Sequence, residues 1–264
     1  MKVVLFCGGL GTRLREYSDT IPKPMVSIGY RPIIWHLMKY YAHFGHKDFV
    51  LALGYRGDII KHYFTQYDER LSNDFVLSDG GRKTKLFNSD IEDWTITFAD
   101  TGSNSNIGQR LLAVRKYLDG EPMFMANYSD GLSDLNLDSY VKEIREHGKI
   151  GNFITVRPPL SYHMVTTDAQ DNVRAITAAA KTDMRINGGF FVFKQAIFDY
   201  MNEGEELVEE PFQRLIEAGQ LNAHRHDGFF ACMDTMKDKQ MFDNRHNAGD
   251  TPWEVWKQTP REAR

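Results

Sequence analysis

The chain has 264 residues, of which 42% are hydrophobic and 26% charged, and its formal net charge is −4. One sizeable core is expected at this length, and mild acidity without a long basic run excludes a nucleic-acid groove as the main function. We find no apolar run long enough to span a membrane and no signal-peptide pattern, so we expect a cytoplasmic protein without membrane contact. Cys7 and Cys232 lie in apolar runs, and we expect small core residues rather than a disulfide.

The first predicted element is a buried parallel strand over residues 2–7, which ends in a glycine-rich stretch. That stretch reads Gly8, Gly9, Leu10, Gly11, Thr12 and Arg13. Glycines allow a sharp turn and a close approach to the backbone. Free N–H groups there, with Arg13 and Lys23 behind them, suit a phosphate chain. An ordinary strand-to-helix turn is the alternative, although the following Lys-Pro makes the pattern more specific.

Strands and helices then alternate with short links, which predicts a parallel sheet covered on both faces. Residues 68–94 break this pattern: they are polar and have a turn at 78–81, so we expect an inserted arm. The predicted helices cover 32–45, 58–67, 107–117, 137–147 and 210–218, with a helical tail over 236–264. The predicted strands cover 48–53, 94–100, 122–126, 152–156, 190–193, 222–226 and 229–233, with an antiparallel hairpin over 164–176.

Several short motifs resemble, in their order, those of the sugar-1-phosphate nucleotidyltransferases (sugar-nucleotide pyrophosphorylases), closest to the glucose-1-phosphate cytidylyltransferase branch. After the glycine loop they include Lys23-Pro24, Ser129-Asp130-Gly131, Asn187-Gly188-Gly189 and Met233-Asp234-Thr235. The resemblance implies an α/β fold: a Rossmann-like three-layer α/β/α sandwich with a mixed, mostly parallel central sheet. We expect one domain over 1–264 that carries the arm. In this branch the arm packs against another subunit, which predicts a homo-oligomer; a mobile lid is the alternative.

The resemblance also implies the site. Asp130 and Asp234 would hold Mg²⁺ or Mn²⁺, since hard cations prefer oxygen ligands; a helix N-cap is the alternative for such an aspartate. No flavin or NAD is expected. The nucleotide base and ribose would contact Gly54, Tyr55, Gly102 and Arg110, while Asn187 and Gly188 would contact the sugar. Tyr162 and Glu210 are further candidates for the sugar, although a glutamate in the first turn of a helix is also ordinary.

Two departures from the family pattern lie on the sugar side. The family's Glu-Lys-Pro stretch, whose lysine grips the sugar 1-phosphate, is replaced around Ala178, and the nearest lysine is Lys181. A glycine-rich turn of the family is replaced by a bulky stretch that contains Tyr162 and His163. The nucleotide and metal half of the site therefore matches the family, and the sugar-phosphate half does not.

These departures favour a metal-dependent mutase, an isomerase that interconverts the pyranose and furanose forms of a finished nucleoside diphosphate hexose such as a GDP-hexose. His163 would carry the proton, with Lys181, Tyr162 or Glu210 as substitutes; the alternative for His163 is simple packing on the hairpin. Arg13 and Lys23 would neutralise the diphosphate. The alternative is a nucleotidyltransferase that joins a nucleoside triphosphate to a sugar 1-phosphate with release of pyrophosphate, in which Lys181 replaces the missing lysine.

Overall fold

The computed structural model describes residues 1–9, 21–158 and 162–257. The strands in these ranges are β1 (Val3–Cys7), β2 (Ser27–Ile28), β3 (Arg31–Pro32), β4 (Asp48–Leu53), β5 (Phe75–Ser78), β6 (Lys83–Leu86), β7 (Thr95–Asp100), β8 (Met123–Tyr128), β9 (Gly131–Ser133), β10 (Gly151–Val156), β11 (His163–Thr167), β12 (Val173–Ala178), β13 (Ile186–Asn187), β14 (Phe191–Lys194), β15 (Leu221–Arg225) and β16 (Phe230–Cys232). The α-helices are α1 (Ile33–His43), α2 (Gly57–Thr65), α3 (Ile107–Val114), α4 (Leu137–His147), α5 (Glu210–Glu217) and α6 (Met236–Asn247).

The central sheet is mixed and mostly parallel, as predicted. Its strand order is β13-β10-β14-β8-β1-β4-β7, and β15 also pairs with β10. The pairs β8–β1, β1–β4, β4–β7 and β10–β15 are parallel, whereas β14 runs antiparallel to both β8 and β10. Because parallel neighbours end at the same edge, the carboxyl ends of β1, β4, β7 and β8 lie side by side.

Helices cover both faces of the sheet, which gives the predicted three-layer sandwich. Alternate residues of β1 enter different cores: Leu5 belongs to one apolar cluster and Phe6 to the other. Helix α1 packs into the first cluster through residues such as Leu37, while α3 and α5 enter the second through Leu111 and Phe212. β1 is fully buried for this reason, and apolar side chains are required at all its positions.

The predicted elements are present, with shifts at some ends. Helix α2 ends at Thr65, two residues before the predicted end. Helix α3 begins at a capping box of Asn106 and Gln109 and ends at Val114, where a 3₁₀ turn over Arg115–Tyr117 continues it. The predicted hairpin is present as β11 and β12, with all of β11 exposed. The tail forms α6 and a short 3₁₀ helix, and residues 258–264 lie outside the described ranges.

The arm contains the hairpin β5–β6, joined by a 3₁₀ turn over Asp79–Gly81. Its base is fixed to the body by Asp90. The Asp90 carboxylate accepts hydrogen bonds from Lys39 at 3.0 Å, Tyr67 at 3.1 Å, Ser72 at 2.5 Å and Asn73 at 2.9 Å. A partly buried carboxylate with four donors holds its surroundings firmly, so the contacts at the base favour a fixed arm over a mobile lid.

Within the described residues, no helix combines the length and apolarity that a membrane crossing requires.

Candidate functional site

The ends of four parallel strands gather the predicted nucleotide-binding residues at one edge of the sheet. Phe6 of β1 pairs with Tyr128 of β8, so Gly8 and Asp130 lie two residues beyond a paired position. Gly54 follows β4, and Gly102 follows β7 in a left-handed conformation (φ +88°). This edge is where open α/β sheets place their ligands.

Gly8 and Gly9 are the described part of the glycine loop, and Leu10, Gly11, Thr12 and Arg13 lie outside the described residues. Gly8 packs directly against Arg110: a Cβ there would overlap the guanidinium, so a larger residue would displace this arginine. A Cβ at Gly54 would lie 2.7 Å from Arg110 Nη1. The absence of both side chains makes room for one buried arginine below the loop.

Arg110 lies beneath the nucleotide-binding edge and not in an open pocket; only 2% of it is exposed. Nη1 donates to the Leu53 carbonyl at 3.2 Å, the Thr101 hydroxyl at 2.7 Å and the Gly102 carbonyl at 2.9 Å, and Nη2 donates to the Gly8 carbonyl at 3.1 Å. Burial lowers its pKa, although a guanidinium stays charged at neutral pH. Arg110 thus joins the ends of β1, β4 and β7, a role that the sequence did not indicate.

Lys23, Asp130 and Asp234 form a cluster at the same edge. The Lys23 ammonium donates to Asp130 Oδ2 and to Asp234 Oδ1. Burial alone would lower the pKa of Lys23, but the two carboxylates outweigh it and the pKa is raised. The side chain is therefore a cation at neutral pH, held by two anions whose positions come from distant parts of the chain.

The donor set of this cluster fits a hard divalent cation. Asp130 follows β8 and Asp234 follows β16, and both carboxylates reach one point, the Lys23 ammonium. Mg²⁺ in nucleotide enzymes is held by one or two carboxylates together with phosphate oxygens. Among the described residues no group of three or more His, Cys, Asp or Glu could hold a metal by itself.

The predicted sugar wall lies next to β8. Asn187 ends β13 and is exposed, with its Nδ2 directed at the Tyr128 hydroxyl at 3.4 Å. Gly188 is buried, and a Cβ there would lie 2.8 Å from Ile154 Cγ1, so only glycine fits. Burial, followed by the nearby Glu206 charge, raises the pKa of Tyr128 to about 12. Tyr128 therefore remains a neutral hydroxyl beside Asn187 at physiological pH.

Tyr162, His163 and Lys181 lie together at the base of the exposed hairpin. The Tyr162 carbonyl accepts from Ala179 N at 2.9 Å, and His163 pairs with Ala178, so the bulky turn and the alanine stretch are neighbours. All three side chains are exposed, Tyr162 at 71%. Glu210 is separate in the fold: it is the exposed first residue of α5.

A family model described as nucleotidyl transferase matches residues 2–235. The chain belongs to this family. Among curated proteins, glucose-1-phosphate cytidylyltransferase of Salmonella typhi is 36% identical over 258 residues, which cover 97% of this chain and 100% of the relative. A probable glucose-1-phosphate cytidylyltransferase of Bacillus subtilis is 34% identical with the same coverage.

Solved structures of low sequence identity share the fold. A putative glucose-1-phosphate thymidylyltransferase from Bacillus anthracis superimposes with a TM-score of 0.65 at 15% identity, covering 92% of this chain and 94% of that one. A UDP-glucose pyrophosphorylase complexed with UDP-glucose gives 0.68 at 14% identity, covering 94% and 98%. Both confirm the Rossmann-like α/β architecture, and the family match confirms the predicted resemblance and the prediction of an enzyme.

The mutase interpretation is wrong. It rested on Ala178, Tyr162 and His163, that is, on a few positions of the sugar side. Full-length similarity to cytidylyltransferases outweighs those local differences and supports the nucleotidyltransferase alternative. The physical reason is that the local differences do not remove the cation that a sugar phosphate needs: Lys181 is exposed and ends the 3₁₀ turn that follows Ala178.

Proposed function

We propose that the chain transfers a nucleotidyl group from a nucleoside triphosphate to a sugar 1-phosphate and releases pyrophosphate. The observation that carries the proposal is the cluster of Lys23, Asp130 and Asp234 at the edge where β1 ends in glycines. Relatives over the full chain are named glucose-1-phosphate cytidylyltransferases. From their names we propose CTP and glucose 1-phosphate as the substrates.

Catalysis in this proposal is positioning and charge neutralisation. A phosphate oxygen of the sugar 1-phosphate attacks the α-phosphorus of the triphosphate and forms a new P–O bond. The bond from the α-phosphorus to the bridging oxygen breaks, and pyrophosphate leaves with that electron pair. The backbone N–H groups of residues 8–12, together with Arg13 and Lys23, hold the phosphates and offset their charge.

Asp130 and Asp234 would hold Mg²⁺ or Mn²⁺ between the chain and the phosphates. When bound, such an ion neutralises phosphate charge and orients the reacting oxygens. Lys23 contacts both carboxylates and supplies a further positive charge at the same place. Arg110 holds the ends of β1, β4 and β7 together through its contacts with backbone carbonyls. In this way it would support Gly54 and Tyr55, which would contact the base.

On the sugar side, Asn187 and the Gly188 backbone would meet sugar hydroxyls. With Ala178, Ala179 and Ala180 in place of the family's Glu-Lys-Pro, Lys181 would provide the charge for the sugar phosphate: it lies just after this stretch and is exposed. Tyr162 and His163 would border the entrance, and Glu210 is the remaining candidate for a sugar contact. We also propose that the arm mediates a homo-oligomer, because its hairpin exposes the apolar side chain of Leu77 on β5 and that of Phe87 just after β6.

The test is to incubate the protein and Mg²⁺ with each of four nucleoside triphosphates and a panel of sugar 1-phosphates, and to separate the products by ion-exchange chromatography. We expect a nucleotide sugar from CTP and glucose 1-phosphate, and at least a tenfold smaller kcat/KM for it in Lys181→Ala, since a charge-assisted phosphate contact contributes about 1.5–3 kcal/mol. No nucleotide sugar from any pair would refute the function, and full activity of Lys181→Ala would refute only its role.

A further inference from the structure

The backbone between Asn187 and β14 has a kink of two consecutive left-handed residues. Gly189 has φ +72°, and Phe190, which is not a glycine, has φ +49°. An aromatic residue adopts this conformation only where its surroundings enforce it. A Cβ at Gly189 would overlap Asn127 Oδ1. The neighbours of the kink therefore determine where the chain runs on both sides of it.

The Tyr140 hydroxyl donates to the Phe190 carbonyl at 3.1 Å, and Ile154 N donates to the Gly189 carbonyl at 3.0 Å. Asn127, on β8, makes a further direct contact with the kink. Its Oδ1 accepts a hydrogen bond from Phe190 N at 3.0 Å, and its Nδ2 donates to the Tyr41 hydroxyl at 3.1 Å. Asn127 and Tyr41 are each 1% exposed. Because water does not reach either group, loss of one partner leaves the other without a hydrogen bond. Tyr41 thus fixes the amide of Asn127, and Asn127 fixes the kink.

The kink in turn orients Asn187. The Asn187 Oδ1 accepts a hydrogen bond from Gly189 N at 2.8 Å, while its Nδ2 is directed at the Tyr128 hydroxyl at 3.4 Å. The side chain of Asn187 is thereby tied to the first residue of the kink. A shift of Gly189 changes the direction in which Asn187 presents its amide to the site.

We propose that Tyr41 and Asn127 are positioning residues for the sugar 1-phosphate: they hold the Gly189–Phe190 kink and thereby aim Asn187. The inference rests on the proposed function, since it assigns a substrate to Asn187. Both residues are buried and act through the kink without touching the substrate. Because Asn187 holds the sugar both before and during the reaction, its misplacement raises KM for the sugar more than it lowers kcat.

The test compares Tyr41→Phe with Tyr40→Phe. The two tyrosines are adjacent on α1 and equally buried. Both pack against Phe190: the ring centroid of Phe190 lies 6.0 Å from that of Tyr41 and 5.6 Å from that of Tyr40. Each substitution removes one buried hydroxyl, but the Tyr40 hydroxyl donates to the Leu135 carbonyl and does not contact Asn127. Tyr40→Phe therefore controls for the general loss of stability.

We expect Tyr41→Phe to raise KM for glucose 1-phosphate roughly 3- to 10-fold, the value of one buried hydrogen bond, and to leave KM for CTP within about twofold. Tyr40→Phe should leave both constants unchanged while thermal unfolding shows comparable destabilisation. The inference would be overturned if the two variants had equal effects, or if KM for glucose 1-phosphate did not change in Tyr41→Phe. It would also be overturned if KM rose equally for both substrates. A wild-type protein that neither turns over nor binds a sugar 1-phosphate in calorimetry would refute the proposed function as well.

Discussion

Lys23 is the residue that links the two carboxylates of the candidate site. Its ammonium joins the carboxylates of Asp130 and Asp234, which come from the ends of different sheets. Two carboxylates so close would repel each other without a cation between them. The pKa of Lys23 is raised because both carboxylates stabilise the charged form of the lysine.

At this scale we predict that Asp130→Asn or Asp234→Asn lowers kcat/KM roughly 100-fold or more, since each removes a charge at the point where phosphate charge must be neutralised. Mn²⁺ binding, measured by electron paramagnetic resonance, should weaken in parallel, while circular dichroism stays unchanged. Asp243→Asn is the matched control: Asp243 pairs with Lys239 on α6, away from the cluster. Full activity of either cluster variant, or of EDTA-treated protein, would refute the metal role.

The packing of α1 against the C-terminal segment gives the fold a titratable contact. His36 is buried in α1 and lies between the rings of Trp253 and Trp256. Its Nε2 bonds the Ile28 carbonyl at 3.1 Å, and Glu254 Oε1 is 3.9 Å from its Nδ1. Burial lowers the pKa of His36 to about 4, and the neighbouring carboxylate offsets only part of this effect.

His36 therefore makes stability depend on pH. The unfolded chain binds a proton near pH 6.5 and the folded chain only near pH 4, so the stabilisation is present above pH 6.5 and is lost as pH falls toward 4. We expect the free energy of unfolding to fall by about 2 kcal/mol from His36 between pH 7 and 5. Urea titrations of His36→Gln should show a decrease that is smaller by this amount, whereas the exposed control His43→Gln should keep the wild-type decrease. Burial also lowers the pKa of His46 to about 4, so part of the decrease remains in both variants. Parallel losses in wild type and His36→Gln would contradict the assignment.

Most elements were predictable from the sequence because their patterns are local. The apolar run that forms β1 and the helical spacing in α1 need no distant information. Arg110 was predicted to contact base and ribose, yet it lies below the strand ends. Its place depends on the missing side chains of Gly8 and Gly54, which follow β1 and β4. Contacts across elements, such as Asn127 with Phe190, leave no periodic signal, so sequence analysis missed them.

At the scale of the whole molecule, we propose that the arm forms the interface between copies of the chain. Asp90 fixes the base of the arm to α1. At the hairpin, Leu77 is 58% exposed and Phe87 is 60% exposed. An anchored hairpin with exposed apolar residues suits a permanent interface more than a moving lid. The formal net charge of −4 is small enough for identical chains to associate without strong repulsion.

We predict that light scattering gives a multiple of the 30.5 kDa chain mass, and that Leu77→Glu combined with Phe87→Glu shifts it to the monomer, because charges would be buried in the interface. Ile216→Glu serves as the control, since Ile216 is an equally exposed apolar residue on α5. A monomeric wild type across a wide concentration range would refute the predicted oligomer. An unchanged mass in the double variant would show that the arm does not form the interface.

The most direct measurement is the stoichiometry of the reaction. Wild-type protein, Mg²⁺, CTP and glucose 1-phosphate are mixed, and ³¹P NMR follows the triphosphate, pyrophosphate and nucleotide-sugar signals together. Nucleotidyl transfer predicts one pyrophosphate for each nucleotide sugar, no reaction without the sugar 1-phosphate, and a slow or absent reaction in Asp234→Asn. Loss of triphosphate without a nucleotide-sugar signal, or no reaction with any triphosphate and sugar 1-phosphate, would contradict nucleotidyl transfer at this site.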